Sequence, residues 1–284
     1  MQAIDTILLS PNPDKDRGLA VTRRLCALLA ETGIAVIAPD ELCPGLELPS
    51  NVKRTSWQQA VKQAGCFVTL GGDGTLLHNA KRAAQANLPM LGINLGRLGF
   101  MTELEVAELP RLPDILRGEW RPERRLMLEV NLLENGQPVY TDYALNDAVI
   151  SGGPIARIIE LAVESDTDNL ITFTGDGLIV ATPTGSTAYS LSAGGPVVEP
   201  AADCLLLTPI CPHRMDVRSV ILSSDRQLSI TVSRRADAWL SVDGGDTVAL
   251  GPDAAVTVRR WHKTLTLMRV RQHGFLERIS RKLS

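Results

Sequence analysis

A carboxylate lies inside a run of glycines at Gly71-Gly72-Asp73-Gly74-Thr75. Glycines let a phosphate group approach the main chain closely, and unpaired N–H groups at the start of a helix attract anions. An aspartate there would repel phosphate unless it accepts a proton from an attacking hydroxyl or helps to hold Mg²⁺. The run therefore predicts phosphoryl transfer. The alternative is that Asp73 and Thr75 only cap a helix and that the glycines serve a tight turn.

The residues around this run predict the strand and the helix that hold it. Residues 66–70 form an apolar run of strand length, and the apolar residues after Thr75 recur at helical spacing. The run thus joins the end of a strand to the start of a helix. The chain has no G-x-x-x-x-G-K-[ST] sequence, so the usual P-loop lysine is absent. We therefore expect backbone groups and a cation to supply the phosphate contacts.

A second polar stretch, residues 175–196, joins an aspartate between two glycines to a loop of small hydroxyl residues. Its hydroxyl and N–H groups suit the edges of a base or the oxygens of a ribose, and Tyr189 offers a flat face or a hydroxyl. The alternative is a well-capped helix whose serines and threonines bond to their own backbone. We expect that role for most single hydroxyls, but a ligand site for the loop as a whole.

The first part of the chain alternates strands with helices. Strands are predicted at residues 4–9, 35–38, 66–70 and 89–94, and helices at 19–29, 56–64 and after Thr75. This pattern predicts an α/β domain over residues 1–120 with an open, mostly parallel, Rossmann-like sheet. Ligands of such sheets bind at the carboxyl ends of the strands. The glycine run and the turn Asn94-Leu95-Gly96 should emerge there and face one crevice.

The second part of the chain has the period-two pattern of β-strands. Leu126, Leu128 and Val130 alternate before an Asn135-Gly136 hairpin turn, and further short β-rich runs continue as far as residue 270. We expect an all-β, sandwich-like domain over residues 121–274. Residues 275–284 are predicted to form a short amphipathic helix that packs back on the first domain.

Composition narrows the class of protein. A chain of 284 residues with 44% hydrophobic and 21% charged residues can bury one or two cores, and its net charge of -3 with scattered Lys and Arg argues against nucleic acid. Five cysteines without C-x-x-C spacing argue against zinc and against a disulfide framework. The amino terminus lacks the pattern of a signal peptide, and no apolar run approaches about 18 residues, so we expect a cytoplasmic protein without a membrane partner.

Four segments match a known pattern: the glycine run, residues 94–100, the Asn146-Asp147 pair, and residues 176–196. Through them the chain resembles the NAD kinases of bacteria over nearly its whole length. The glycine run alone is shared with diacylglycerol-type lipid kinases and 6-phosphofructokinases, whereas residues 182–196 are far more specific. The resemblance implies transfer of the γ-phosphoryl group of ATP to the 2′-hydroxyl of the adenosine ribose of NAD, giving NADP.

The resemblance also implies roles for single residues. Asp73 matches the proton acceptor, Asn146 and Asp147 match a pair that holds the ribose and adenine of NAD, and Asp176 matches a contact to the other end of the ligand. The implied NAD-binding residues are Asp73, Gly74, His78, Asn146, Asp147, Arg157, Asp176, Thr187, Ala188, Tyr189, Ser190, Leu191 and Ser192, and the phosphate loop comprises Gly71, Gly72, Gly74 and Thr75. The alternatives are a solvated helix face for His78 and an outward-facing strand position for Arg157.

The same resemblance implies NAD and ATP as substrates and a divalent cation, Mg²⁺ or alternatively Mn²⁺, brought in with the nucleotide phosphates. No residue is assigned as a metal ligand. A homodimer or homotetramer is expected, because many β-edges need partners and the family associates through the second domain. The chain departs from the family pattern at Gly245, where many relatives have a polar residue, and at Ser219, which replaces the proline of an Arg-Pro pair. Its tail also lacks the final aromatic residue.

Two other classes compete with this interpretation. A lipid kinase would share the glycine run but should have an apolar acceptor cleft and a different second domain. A non-catalytic protein that senses NAD(H) or NADP(H) would keep both polar sites without turnover. Asp73 inside an intact glycine run argues against the sensor, and residues 176–196 argue against the lipid kinase.

Overall fold

The chain is organised in two units. The computed structural model describes residues 3–96, 99–153, 158–165, 168–233 and 237–271, together with Phe275, Glu277, Ile279 and Ser280. The contacts between residues divide the chain into Met1–Arg124 with Leu265–Ser284 as the first unit, and Arg125–Thr264 as the second.

The first unit contains a sheet with α-helices packed on it. Its strands are β1 (Thr6–Pro11), β2 (Ala35–Pro39), β3 (Val52–Thr55), β4 (Cys66–Gly71), β5 (Met90–Asn94), β6 (Leu104–Glu105), β7 (Arg121–Arg125) and β20 (Leu265–Arg269). Its helices are α1 (Ala20–Glu31), α2 (Trp57–Gln63), α3 (Asp73–Ala86) and α4 (Leu112–Leu116), with 3-10 turns at Arg17–Leu19, Asp40–Leu42 and Val106–Arg111.

The strand order of this sheet reverses its direction between β1 and β4. The order is β3-β2-β1-β4-β5-β20-β7, with β6 beside β5, and the pairs from β3 to β20 are parallel. Every residue of β4 is buried, as expected for a central strand covered by helices on both faces. The chain runs outward in opposite directions from β1 and from β4. The carboxyl ends of these two strands therefore form the switch point at which ligands of open α/β sheets bind.

The position of β20 differs from the sequence expectation. We predicted residues 264–270 as part of the β-rich second half, but in the structure Leu267 pairs with Met90 of β5. Met268 belongs to the apolar core of the first unit. A short apolar strand carries no local signal for its partner, so periodicity could identify the strand but not its sheet. The first unit is also separated from the second after Arg124 rather than after residue 120.

The second unit consists of two antiparallel sheets. Its strands are β8 (Leu128–Glu134), β9 (Gln137–Ala144), β10 (Asp147–Ser151), β11 (Ile159–Ser165), β12 (Asp168–Gly175), β13 (Gly177–Ala181), β14 (Cys204–Ile210), β15 (Val220–Ser223), β16 (Leu228–Val232), β17 (Ala238–Val242), β18 (Val248–Leu250) and β19 (Ala255–Arg260). One sheet has the order β12-β11-β16-β19-β8-β9, and the other β15-β14-β13-β10-β17-β18. A short helix, α5 (Tyr189–Ser192), follows a 3-10 turn at Gly185–Thr187.

The two sheets of the second unit pack face to face. Alternate residues of β8 are buried, and they share one apolar core with residues of β10 and β13 from the other sheet. The predicted hairpin joins β8 to β9, with Asn135 and Gly136 both at positive φ, as a tight hairpin turn requires. The predicted fold class, an α/β domain followed by a β-sandwich, is therefore confirmed.

Two further observations concern the membrane and the tail. Within the described residues, no helix combines the length and the apolar character needed to cross a membrane. The described residues of the predicted tail helix are helical, namely Phe275, Glu277, Ile279 and Ser280.

Candidate functional site

Asp73 lies where the sequence placed it, at the start of a helix that follows a buried strand. Strand β4 ends at Gly71, and α3 begins at Asp73. The turn after β5 reaches the same place, because the N–H of Leu95 donates to the carbonyl of Gly71 at 2.7 Å. The structure thus brings together the two loops expected to share one crevice.

The carboxylate of Asp73 is held by a segment that the sequence analysis did not connect with it. Oδ1 accepts the backbone N–H groups of Met101 at 3.1 Å and Thr102 at 3.0 Å, and the Thr102 hydroxyl at 3.2 Å. Among the described residues, Oδ2 accepts one hydrogen bond, from the N–H of Phe100 at 2.6 Å. A carboxylate has about four acceptor positions, roughly two on each oxygen. Toward the described residues, one position on Oδ2 of the half-buried Asp73 is therefore open.

This arrangement explains the glycine at position 99. A β-carbon on Gly99 would overlap with all three atoms of the Asp73 carboxyl group. Any larger residue would push the segment away from the carboxylate and break the bonds from the backbone of residues 100–102. The glycine therefore serves Asp73, although 26 residues separate the two positions along the chain.

The loop after β1 contributes two polar side chains that the sequence analysis missed. The amide of Asn12 donates to Oγ1 of Thr75 at 2.9 Å, which ties this loop to the glycine run. Nζ of Lys15 lies 2.9 Å from the point where a β-carbon on Gly72 would stand. In the part of the chain that the structure describes, no carboxylate pairs with Lys15. The signal available in the sequence was their place directly after the first strand, at the carboxyl edge of the sheet.

The Asn146-Asp147 pair is presented by a turn that Asp243 holds from 96 to 98 residues away. The carboxylate of Asp243 accepts the N–H groups of Leu145 at 2.7 Å, Asn146 at 2.8 Å and Asp147 at 3.1 Å. In return, the N–H of Asp243 donates to the carbonyl of Asp147 at 2.9 Å. Asp243 has a positive φ of 50°, which suits the turn that its Asp-Gly-Gly sequence indicates.

A buried carboxyl group, Asp147, and a half-buried one, Asp243, interact at this turn. Burial, and secondarily the nearby Asp243, raises the pKa of Asp147 to about 7. Burial also raises the pKa of Asp243 to about 6, although the three N–H donors act in the opposite direction. Both groups therefore titrate closer to neutrality than an ordinary aspartate.

Thr182 and Gly185 hold the same turn from its other side. The N–H of Thr182 donates to the carbonyl of Asn146 at 2.8 Å, and its hydroxyl donates to the carbonyl of Leu145 at 2.5 Å. A β-carbon on Gly185 would overlap with the backbone of Asn146. This part of the motif thus supports Asn146 through its backbone.

Several hydroxyls of the following segment serve the chain, as expected for most of them. The hydroxyl of Ser190 is buried and bonds to Oγ1 of Thr208 at 2.8 Å, and that of Thr187 donates to the carbonyl of Thr184 at 3.3 Å. In contrast, Tyr189 is 46% exposed, and Ser192 is exposed at the end of α5. Ala188, directly before Tyr189, and Leu191, directly before Ser192, are half-buried. The surface offered to a ligand is therefore an aromatic ring beside small side chains.

Asp176 lies alone between two strands of the second unit. It separates β12 from β13, its N–H donates to the carbonyl of Ile210 at 3.0 Å, and its carbonyl accepts the N–H of Gly152 at 3.1 Å. A hydrogen bond to the Asp176 carboxylate raises the pKa of the exposed Cys211 thiol. The half-buried carboxylate lies where the ends of β10, β13 and β14 meet.

The remaining candidates are placed less centrally. His78 is exposed on α3, five residues after Asp73 and so about 140° around the helix axis from it. Arg157 lies outside the described residues. In the described ranges, no group of three or more His, Cys, Asp and Glu side chains is arranged to hold a metal ion.

Comparison with known proteins places these residues in one family. The model of the ATP-NAD kinase N-terminal domain matches residues 7–119, and that of the ATP-NAD kinase C-terminal domain matches residues 145–270. The chain is 41% identical to an NAD kinase of Symbiobacterium thermophilum and 39% identical to one of Heliobacterium modesticaldum. Each alignment covers 96% of this chain and 96% of the relative.

Two solved structures share the fold. The yeast NADH kinase complexed with NADH matches with a TM-score of 0.87 and 25% identity, over 100% of this chain and 88% of its own. An NAD kinase from Archaeoglobus fulgidus in complex with ATP matches with a TM-score of 0.71 and 25% identity, over 92% of each chain.

Proposed function

Because the chain belongs to the ATP-NAD kinase family of phosphotransferases, we propose that it transfers the γ-phosphoryl group of ATP to the 2′-hydroxyl of the adenosine ribose of NAD. The ribose oxygen forms a bond to the γ-phosphorus, and the bond from that phosphorus to the β,γ-bridging oxygen breaks. The hydroxyl proton goes to Asp73. The products are NADP and ADP.

The observation that carries this proposal is the state of the Asp73 carboxylate. Among the described residues, three donors occupy Oδ1, whereas Oδ2 has one donor and one open acceptor position. A ribose hydroxyl is a poor nucleophile near neutral pH and needs a base within hydrogen-bonding distance. Oδ2 is the atom that we assign to this task. The donors on Oδ1 keep the carboxyl group in one orientation.

Phosphate binding is assigned to the glycine run and to the loop after β1. The start of α3 offers unpaired N–H groups and the positive end of the helix dipole. Lys15 adds a cation directly over Gly72. This lysine supplies from another loop the positive charge that P-loop proteins take from their own motif. A divalent cation, Mg²⁺ or Mn²⁺, is expected to arrive on the nucleotide phosphates, where it would neutralise charge.

The acceptor nucleotide is assigned to the second unit. Asn146 and Asp147 are presented by a turn bonded on both sides, by Asp243 and by Thr182, so the backbone that carries their side chains is held before a ligand binds. Preorganised polar groups bind at lower cost than mobile ones. Tyr189 is assigned to the face of the nucleotide and Asp176 to a contact at its other end.

Location and assembly complete the proposal. All five cysteines are free thiols, as is usual in a reducing compartment, and we assign the protein to the cytoplasm.

We assign the protein to a homodimer or homotetramer because the sheets of the second unit end in edge strands, of which β15 exposes Val220 and Ile221. Sedimentation of an active sample at micromolar concentration checks the assembly, and a monomer alone would exclude it.

The decisive experiment is an assay of the purified protein with NAD, ATP and Mg²⁺. We expect NADP, detected with an NADP-specific dehydrogenase, and a phosphorus NMR signal of a 2′-phosphate. Parallel incubations with a diacylglycerol acceptor, and a binding assay with NAD alone, test the two other classes. Phosphorylated lipid would favour the lipid kinase, and NAD binding without any NADP would favour the sensor.

A further inference from the structure

Arg269 is a buried cation on β20 whose contacts end at the segment that holds Asp73. Its side chain is 1% exposed and is paired with Glu103, which is 2% exposed, at 2.9 Å. Nε and Nη2 donate to Oε1 of Glu123 at 3.1 and 3.0 Å. The other bonds go to main-chain carbonyls, from Nη1 to Met101 at 2.9 Å and from Nη2 to Phe100 at 3.4 Å.

These carbonyls belong to the peptide groups whose N–H ends face Asp73. The carbonyl of Phe100 and the N–H of Met101 form one peptide group, and the carbonyl of Met101 and the N–H of Thr102 form the next. Each group accepts from Arg269 at one end and donates to Oδ1 of Asp73 at the other. The two peptide dipoles therefore point their positive ends at the carboxylate, and a bond at one end of a polar chain strengthens the bond at the other.

The arrangement requires arginine and is anchored from behind. A guanidinium has five N–H donors in a rigid fork, so it reaches two carboxylates and two carbonyls at once, which a lysine ammonium with three donors does not. Glu103 is fixed in turn, because it also accepts the N–H groups of Val270 and Arg271 at 2.8 and 2.7 Å. The strand that carries Arg269 is thus bonded to Glu103, the residue that directly follows the segment.

We infer that Arg269 is a positioning residue for the proton acceptor. It acts through the peptide groups of residues 100–102 and sets the orientation of Asp73, so that Oδ2 presents its open acceptor position to the hydroxyl. The expected effect on kcat rests on the proposed function. The expected effect on the hydrogen bonds of residues 100–102 concerns the substrate-free protein and does not depend on that function. An error of about 1 Å in the position of a catalytic group can cost about 100-fold in rate.

The test uses Arg269→Lys, which keeps a charge beside Glu103 and removes the fork. The matched control is Arg271→Lys, since Arg271 lies two residues further on and its side chain pairs with Glu108 rather than with the segment. We expect Arg269→Lys to lower kcat for NADP formation about 10- to 100-fold, with KM for NAD and ATP changed less than about threefold. Arg271→Lys should leave kcat near that of the unaltered protein.

A double-variant comparison separates positioning from a general loss of structure. In an Asp73→Asn background, Arg269→Lys should cause little further loss of kcat, because the two residues act as one unit. Amide hydrogen exchange in the substrate-free protein gives a second readout. Exchange at Met101 and Thr102 should rise about tenfold or more in Arg269→Lys and stay unchanged in Arg271→Lys.

Clear outcomes overturn the inference. A folded Arg269→Lys protein with normal kcat contradicts it. An equal fractional loss of kcat on introducing Arg269→Lys into the unaltered protein and into the Asp73→Asn variant also contradicts it. Unchanged exchange at Met101 and Thr102 in Arg269→Lys contradicts the inference, whether or not the unaltered protein forms NADP. Failure of the unaltered protein to form NADP would instead refute the proposed function. If Arg269→Lys does not fold, Glu123→Gln loosens the guanidinium and keeps the Glu103 pair. It should then show a smaller loss of kcat with the same dependence on Asp73.

Discussion

Replacement of Asp73 by asparagine separates catalysis from structure, because the carboxylate accepts hydrogen bonds from four donors and three of these bond to the same oxygen. The amide oxygen of asparagine can occupy the position of Oδ1 and keep those three bonds. Its NH₂ group then lies at the position of Oδ2 and faces the N–H of Phe100. Two donors therefore oppose each other in the variant, and the proton acceptor is gone.

The size of both effects follows from this geometry. An unsatisfied N–H group costs about 1–3 kcal/mol of the free energy of unfolding, which corresponds to a Tm lowered by about 2–10 °C for a domain of ordinary size. Loss of a general base lowers kcat by about 10²–10⁴-fold. A role in helix capping alone predicts a different result, because asparagine is itself a good cap and kcat would be nearly unchanged.

The assay measures kcat for NADP formation and Tm on the same preparations. Glu108→Gln is the matched control, since Glu108 is a half-buried acid of the same unit that accepts the N–H of Glu105 at 3.0 Å and has no assigned part in the reaction. It should lower Tm modestly and leave kcat unchanged. A folded Asp73→Asn protein with near-normal kcat would refute the role of Asp73 as base. An unchanged Tm would refute the argument from opposed donors.

Three further predictions concern the acceptor turn and the phosphate loop. The pKa of Asp147 is raised in the folded chain, so its contribution to stability is present below about pH 4 and is lost as the pH rises through about 7. With Asp243 unchanged, Asp147→Asn should therefore raise the free energy of unfolding by about 2–4 kcal/mol near pH 8 and by nothing near pH 4. Urea unfolding measures this free energy, and an equal difference between the variant and the unaltered protein at both pH values would contradict the prediction. Asn146→Ala should raise KM for NAD about tenfold or more, with little change for ATP, and an unaltered KM for NAD would remove Asn146 from the acceptor site. Lys15→Ala should raise KM for ATP about three- to tenfold, more at low salt, whereas Lys62→Ala on α2 should not, and equal effects of the two would argue against a specific phosphate contact.

The sequence predicted the backbone of the site well. The apolar run before Gly71 and the helical spacing after Thr75 located a strand, a turn and a helix, because burial and backbone conformation leave a local signal over a few residues. The change to period two and the Asn135-Gly136 turn identified the second fold class for the same reason. The family motifs identified the activity, because they preserve whole loops rather than single residues.

The partners of the functional side chains were beyond the reach of the sequence. Asp73 bonds to the backbone of residues 100–102, and Asp243 bonds to that of residues 145–147. Apart from the Thr102 hydroxyl, the donors in both cases are main-chain N–H groups, which every residue except proline has. The residue types at 100–102 and 145–147 therefore do not reveal these main-chain bonds.

The sequence by itself determined which turns this protein makes and which residues carry its charge. Only the tertiary structure decided which of them meet. Strand order places β20 beside β5 and so brings Arg269 behind the segment that holds Asp73, and it places the loop after β1, with Lys15, beside the glycine run. The physical reason is that pairing between strands depends on burial of the whole sheet, whereas each strand records only its own pattern of buried and exposed positions.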